Sequence, residues 1–209
     1  STPPRVLKVA IVHHHLEPGG VTRVMESTSK ALASTGEVID LVALSGRPCP
    51  GNELPEIAVV EGIDYATVAA SAPPETLAQR LEEVATASLG GVPDVWHVHN
   101  HSLGKNPAFS EAVRLLAENG HGMLLHLHDF AEDGRPGNYR ALRDGLADLS
   151  KIYPVGPRIR YAALNRRDAS FLVEAGLPDE QLILLPNPVR PPGEEEIEPF
   201  DANDVPDNL

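Results

Sequence analysis

Histidines recur in this sequence at the ends of buried, strand-like segments. The chain of 209 residues contains nine histidines, and eight of them lie at or just after three such segments. The eight are His13, His14, His15, His97, His99, His101, His126 and His128. Imidazole titrates near neutral pH and its nitrogens donate or accept hydrogen bonds, which suits proton transfer, phosphate or sugar binding, and metal binding. Because ligands of open α/β sheets bind at the carboxyl ends of strands, these clusters are the strongest indication of a functional site.

The segment 123–128 ends in alternating leucine and histidine and is followed by Asp129. Residues two apart in a strand share a face, so His126 and His128 are expected on the same side. We predict that His128, at the strand tip, is the catalytic histidine, acting as a hydrogen-bond donor or general acid/base near a sugar or phosphate. Asp129 is predicted to bind substrate beside it, and His126 to be a packed, hydrogen-bonded core residue.

His97, His99 and His101 also alternate, and three imidazoles on one strand face are a ligand set that zinc accepts. The sequence supplies no further clear ligand to them, since Asp94 lies at the opposite end of the segment. We therefore predict that these histidines bind no metal. A metal-dependent hydrolase that uses the histidine clusters stays open as an alternative function.

The segment 94–99 is followed by a polar loop that contains Asn100, His101 and Lys105. Together with His99, at the end of the segment, these residues are predicted to form one wall of a site for a polar substrate. The alternative interpretation is a surface loop that binds no ligand.

The glycine pair Gly19-Gly20 separates the first strand-like segment from a helical pattern. Backbone amides at a helix start are unpaired and the helix dipole is positive there, so this loop is predicted to bind a phosphate or pyrophosphate. Arg23, in the first turn, is expected to contact the same phosphate or an acidic acceptor; the alternative is a solvated helix face. A plain turn that requires a positive φ is the alternative for the glycines. The motif G-x-G-x-x-G is absent, which disfavours a dinucleotide site.

Strand-like and helix-like segments alternate along the chain and must position these residues. Apolar patterns predict strands at 5–13, 38–44, 57–60, 63–68, 94–99, 123–128, 160–164 and 182–185. Helical patterns occupy the stretch between Gly20 and Gly36 and the segments 74–89, 107–119, 139–149 and 166–175. This alternation predicts an α/β fold with a doubly wound, mostly parallel sheet and helices on both faces over residues 1–190. Residues 191–209 form an acidic, Pro-containing tail, predicted to be disordered or a linker to a further domain.

Charge and apolar patterning exclude several classes of protein. The net charge is −13, which argues against general binding to nucleic acid or to anionic membranes. No apolar run approaches the roughly 20 residues that a transmembrane helix needs, and the first residues lack a signal-peptide core. The single cysteine, Cys49, excludes an internal disulfide and a cysteine-based zinc cluster. We expect a cytoplasmic protein.

Four segments together resemble the N-terminal, acceptor-side domain of family-4-like retaining glycosyltransferases with the GT-B fold. They are VAIVHHHLEPGGVTRVME (9–26), PDVWHVHNHS (93–102), MLLHLHDF (123–130) and ALNRRDASFLVEAGLPDEQLILLPNPV (163–189), spread over nearly all of residues 5–190. The resemblance implies a Rossmann-like half of a GT-B fold that transfers a sugar from a nucleotide-sugar donor to an acceptor with retention, with no permanently bound cofactor. It places Gly19 and Gly20 at the donor diphosphate, His128 near the donor sugar and Asn187 at the turn before a second domain.

The sequence departs from that family in two ways. Asn187-Pro188 stands where Asn-Gly is common, and no second Rossmann-like domain follows. The family binds most of the nucleotide sugar on that second domain. We therefore expect this chain to be inactive without a C-terminal donor-binding domain or partner chain. Two further alternatives stay open: half of a GT-B-like nucleotide-sugar epimerase, with Asp129, Glu132 or Asp133 as its base, and a non-catalytic interaction domain.

Overall fold

The computed structural model describes residues 5–70 and 72–188, and the predicted acidic tail lies outside them. The strands are β1 (Leu7–Val12), β2 (Ile39–Ser45), β3 (Ile57–Val59), β4 (Val95–His99), β5 (Met123–Leu127), β6 (Ile159–Ala163) and β7 (Leu182–Leu184). The α-helices are α1 (Gly20–Ala33), α2 (Pro74–Leu89), α3 (Pro107–Glu118), α4 (Pro136–Gly145) and α5 (Arg166–Glu174). None of the described helices is both long and apolar enough to cross a lipid bilayer.

The seven strands form one sheet in the order β3-β2-β1-β4-β5-β6-β7, and every neighbouring pair is parallel. The chain moves outward from β1 in one direction through β2 and β3, and in the other direction from β4 to β7. The order of the strands therefore reverses between β1 and β4, where the loops that leave the two strands diverge. Such a topological switch point is the usual ligand crevice of an open α/β sheet. The expected doubly wound α/β fold is confirmed.

Helices cover both faces of this sheet. On one face, α2, α3 and α5 bury a large apolar core against the central strands. Its members include Trp96, Val98, Leu125, Leu127 and Tyr161 from the strands and Leu77, Leu81, Phe109, Leu116 and Leu172 from the helices. On the other face, α1 packs Met25 against Ile11 and Ala43 of β1 and β2. Burying one such large apolar side chain stabilises the fold by about 1.5–3 kcal/mol. Packing of helices on both faces therefore stabilises the sheet and the loops at its carboxyl edge.

Two helices begin at side chains that the sequence supplies as caps. Asn106 accepts a hydrogen bond from the backbone N–H of Phe109, and Pro107 occupies the first turn of α3, where its missing N–H is not needed. Asn165 accepts a hydrogen bond from the backbone N–H of Asp168 at the start of α5. These caps fix where the loops after β4 and β6 end.

The segment 63–68, predicted as a strand, is instead a series of turns. Gly62 has a left-handed φ of 100°, and the N–H of Ile63 bonds to the carbonyl oxygen of Val60. The Ile63 carbonyl oxygen accepts from His14 Nδ1 at 2.8 Å rather than from a neighbouring strand. The prediction was wrong because Ile63 lies in a loop but is fully buried in the large apolar core, and such a loop has the same apolar pattern as a strand.

Gly46, directly after β2, tests this close approach of the loop to the sheet. A Cβ at this position would lie 2.4 Å from the backbone nitrogen of Asp64 and 2.7 Å from its Cβ. We predict that Gly46→Ala lowers the free energy of unfolding by about 1–3 kcal/mol, measured by urea denaturation, because the backbone must shift. The matched control is Gly137→Ala in α4, where nothing lies within 4 Å of the added Cβ. Unchanged stability of Gly46→Ala would contradict the described packing.

Candidate functional site

The carboxyl ends of β1, β4 and β5 bring the histidine clusters to one edge of the sheet. Ile11 of β1 pairs with His97 of β4, and His99 of β4 pairs with His126 of β5. Paired residues of parallel neighbours face the same side, so alternation along β4 and β5 places these imidazoles on a common face. The edge lies at the switch point between β1 and β4, where the fold predicts a ligand.

Four of the rings form what we call the imidazole stack: His97, His99, His126 and His128. The contacting ring centroids in it are 4.3–5.3 Å apart. Nε2 of His97 lies 3.1 Å from Nδ1 of His126, and Nδ1 of His99 lies 2.8 Å from Nε2 of His128. Each of these bonds needs one donor and one acceptor, so the tautomer of one ring fixes the tautomer of its partner.

Burial keeps the imidazole stack neutral. Desolvation, followed by repulsion from neighbouring histidines, lowers the pKa of His97 and of His126 to about 4 and that of His99 well below its ordinary value. The pKa of His128 is also lowered to about 4, first by desolvation and then by His126, with Asp129 acting in the opposite direction. At pH 7 His128 is therefore neutral and can act as a hydrogen-bonding group or a base.

Asn100 fixes the loop that carries His128 and Asp129. It adopts a left-handed φ of 53°, which asparagine tolerates better than most residues, and it is buried. Its Oδ1 accepts the backbone N–H of His128 at 2.8 Å and that of Asp129 at 3.3 Å. The Asp129 carboxylate in turn accepts from Arg135 at 2.9 Å. The position of His128 is thus set by a residue that follows the neighbouring strand.

His101 and Lys105, both predicted to line the site, are placed differently from each other. His101 is buried, and its Nε2–H donates to the carbonyl oxygen of Ile152 at 2.8 Å, which ties the loop after β4 to the loop after α4. Lys105 is partly exposed, with Nζ 5.2 Å from the centroid of the Tyr65 ring. The substrate contacts expected of these two residues stay predictions.

The start of α1 is open. Gly19 precedes the helix in an extended conformation (φ 172°, ψ 178°), and no side chain caps the first turn. A Cβ on Gly20 would meet nothing within 4 Å, and one on Gly19 would make only a 3.8 Å contact with the carbonyl oxygen of Glu17. Neither glycine has the left-handed φ that the plain-turn alternative requires, so the fold itself does not demand glycine here. Arg23, in the first turn, is exposed.

Sequence reasoning missed the residues that flank this helix start. Arg47 Nη1 lies 3.2 Å from the carboxylate of Asp64, and Arg47 Nε lies 3.5 Å from that of Glu17. The rings of His15 and Tyr65 contact edge to face at 4.9 Å. Tyr65 and Asp64 belong to the segment that was predicted as a strand. No local pattern in the sequence indicates the hydrogen bond between His14 and Ile63 that holds this loop at the site.

Comparison with known sequences finds a relative of this chain. No family model matches the chain. The chain is similar to the mannosylglucosyl-3-phosphoglycerate synthase of Petrotoga mobilis, with 28% identity over 213 residues that cover 93% of this chain and 40% of the synthase. The likeness shows homology to that synthase and agrees with the glycosyltransferase resemblance. This chain spans about two fifths of the length of the relative.

Solved structures share the fold at low identity. Alr3699/HepE of Anabaena in complex with UDP-glucose matches with a TM-score of 0.54 and 11% identity, covering 88% of this chain and 44% of that one. The same protein in complex with UDP matches with a TM-score of 0.52 and 12% identity over the same shares. At this identity the likeness establishes the fold alone.

The buried histidines predict an acid-sensitive fold, and His14 is the clearest case. Desolvation lowers the pKa of His14 to about 4, although its bond to the Ile63 carbonyl oxygen opposes the shift. Between pH 6.5 and 4 the unfolded chain binds a proton here that the folded chain does not, so stability falls as the pH falls. Each such group contributes up to about 1.4 kcal/mol per pH unit.

We predict that His14→Asn, which keeps a donor for Ile63, reduces the loss of unfolding free energy between pH 6.5 and 5 relative to the parent chain. Urea denaturation of both proteins at several pH values measures this slope. Parallel curves for the two proteins would contradict a buried, neutral His14.

Proposed function

We propose that this chain is the N-terminal, acceptor-side domain of a family-4-like retaining glycosyltransferase. In this proposal residues 1–190 form the domain, and residues 191–209 are a linker to a donor-binding domain. A partner chain that supplies the donor-binding domain is the alternative. The observation that carries the proposal is the open start of α1, which lies at the same sheet edge as His128 and has glycines that the backbone does not require. Homology to the Petrotoga synthase supports a glycosyl-transfer role.

The donor diphosphate is proposed to lie against the first turn of α1. Uncapped N–H groups and the positive end of the helix dipole stabilise an anion there. Glycine at positions 19 and 20 lets the phosphate oxygens approach the backbone, and Arg23 adds a positive charge from the same turn. UDP-glucose, the ligand of the Anabaena neighbour, is the donor class that we propose for this chain.

His128 is proposed to contact the donor sugar. A neutral imidazole donates or accepts one hydrogen bond to a sugar hydroxyl without introducing a charge. His99 holds one ring nitrogen of His128 at 2.8 Å, and Asn100 holds its backbone, so the ring is positioned before a ligand arrives. Catalysis then rests on orienting the sugar and stabilising the leaving diphosphate.

The acceptor is proposed to carry a phosphate or carboxylate. The name of the Petrotoga relative contains 3-phosphoglycerate, an anion of this class. His99, Asn100, His101 and Lys105 were predicted to form the substrate wall, and of these Lys105 supplies a cation at the loop after β4. The enzyme is proposed to act in the cytoplasm.

The proposal is tested with the assembled enzyme, this chain together with its donor-binding domain. We expect it to transfer glucose from UDP-glucose to an anionic acceptor, and proton NMR of the first product to show the anomeric configuration of the donor. Inversion of the configuration, or hydrolysis of the donor without transfer, would sink the proposal.

Gly20→Ala tests the diphosphate site. The variant should unfold at the same urea concentration as the parent, because the added Cβ meets nothing within 4 Å. We expect the assembled enzyme that carries this substitution to bind UDP about tenfold more weakly than the parent enzyme by calorimetry, a change of about 1.4 kcal/mol. The added methyl group keeps the phosphate oxygens away from the backbone N–H groups. The matched control is Gly137→Ala in α4, and equal UDP affinity in all three proteins would remove the glycine loop from the site.

His128→Ala tests the contact with the donor sugar. We expect kcat of the assembled enzyme to fall by about 10²-fold or more, as when one positioned hydrogen-bonding group is lost from a reacting centre. His121→Gln is the control, because His121 lies outside the imidazole stack and contacts Trp96 and Glu82. If both variants retain full kcat, His128 does not touch the reacting sugar.

A further inference from the structure

The β4–β5 pairing supplies a histidine set that the spacing along β4 alone does not give. The sequence grouped His97, His99 and His101 and predicted no metal because a further ligand was missing. In the structure His101 bonds to Ile152, whereas His126 of β5 pairs with His99. The three rings that converge are therefore His97, His99 and His126, from two adjacent strands.

The ring nitrogens of these three residues are close enough to share one ion. One nitrogen of each residue lies within 4.8 Å of one nitrogen of both others. Nitrogen ligands about 2.0–2.1 Å from a tetrahedral zinc ion are about 3.4 Å from one another. Nε2 of His97 and Nδ1 of His126 are at 3.1 Å, close to that spacing.

Two nitrogens of the imidazole stack are buried without a hydrogen-bond partner among the described residues. They are Nε2 of His99 and Nε2 of His126. His99 is completely buried and His126 is 1% exposed, so water does not replace the missing partner at the surface. Unpaired buried nitrogens are unusual in folded proteins, and an unfilled ligand site is one recognised reason for them. Nε2 of His99 is the unpaired nitrogen that would ligate the ion, whereas His126 would use Nδ1, the nitrogen next to His97 Nε2.

We propose that His97, His99 and His126 bind one divalent first-row transition-metal ion, with zinc as the best match. Three neutral imidazoles are the ligand type that zinc accepts, whereas magnesium and calcium require oxygen. The proposal is independent of the glycosyltransferase assignment, since it rests on the paired ends of β4 and β5 alone.

The ion would also act on His128 through His99. When Nε2 of His99 ligates a metal, its Nδ1 carries the proton and donates to Nε2 of His128, which lies 2.8 Å away. A ligating histidine commonly donates its second N–H in this manner, and the bond orients both rings. The metal would thus be a positioning element beneath the sheet edge rather than a group that faces the substrate.

The test uses the full chain, prepared with an affinity tag that contains no histidine and without a nickel column. We expect about one zinc ion per chain by mass spectrometry after gel filtration from zinc-containing buffer. After removal of zinc with a chelator, Co²⁺ alone is titrated as the probe. Visible absorption bands of tetrahedral cobalt should appear and saturate at about one ion per chain.

Variants distinguish this site from other histidines. His99→Gln and His126→Gln should each lose the bound zinc and the cobalt spectrum, whereas His121→Gln should keep both. Zinc content in these two variants that equals the parent value would place the metal elsewhere, and trace zinc without a cobalt spectrum in the parent chain would overturn the proposal.

X-ray absorption of the zinc-loaded parent chain serves if both variants fail to fold. Three imidazole ligands in the zinc spectrum support the proposed site, and fewer than three overturn it. Circular dichroism of each variant shows which of the two tests applies.

Discussion

The parallel register that sets β4 between β1 and β5 is the constraint on which the functional edge depends. It aligns Ile11 with His97 and His99 with His126. Imidazole rings from different strands therefore contact each other on one buried face of the sheet, where apolar side chains are usual. Removed from water, these imidazoles are neutral, and His97 and His126 form a hydrogen bond with each other. A shift of one residue in either ladder would turn the rings to the opposite face, against α2 and α3.

The same register determines where the loops at this edge lie. Asn100 leaves β4 in a left-handed turn, and its amide oxygen binds the backbone of His128 and Asp129 after β5. His14 leaves β1 and binds the Ile63 carbonyl oxygen, which brings a distant loop against the start of α1. Each of these two loops is therefore fixed by a side chain from the end of another strand, and the crevice at the switch point is formed before any ligand binds.

Local sequence patterns were sufficient to predict most helices and strands, but not which side chains of different segments come into contact. The helical pattern predicted 74–89, which are the bounds of α2, and alternation placed His97 and His99 on one face. The segment 63–68 was misassigned because burial by a loop and burial in a strand leave the same apolar pattern. The addition of His126 to the cluster depends on strand register, which no single segment encodes.

Charge at this edge gives a physical reason for the proposed need of a second domain. A departing diphosphate requires positive charge, yet burial holds the nearby imidazoles neutral. Among the described residues at this edge, Arg47 is paired with Asp64 and Glu17, and Arg135 is paired with Asp129. The dipole of α1 supplies a fraction of a charge and exposed Arg23 supplies one more, so together they neutralise only part of a diphosphate. In the proposed enzyme the remaining positive charge comes from another domain or chain, which holds the rest of the donor.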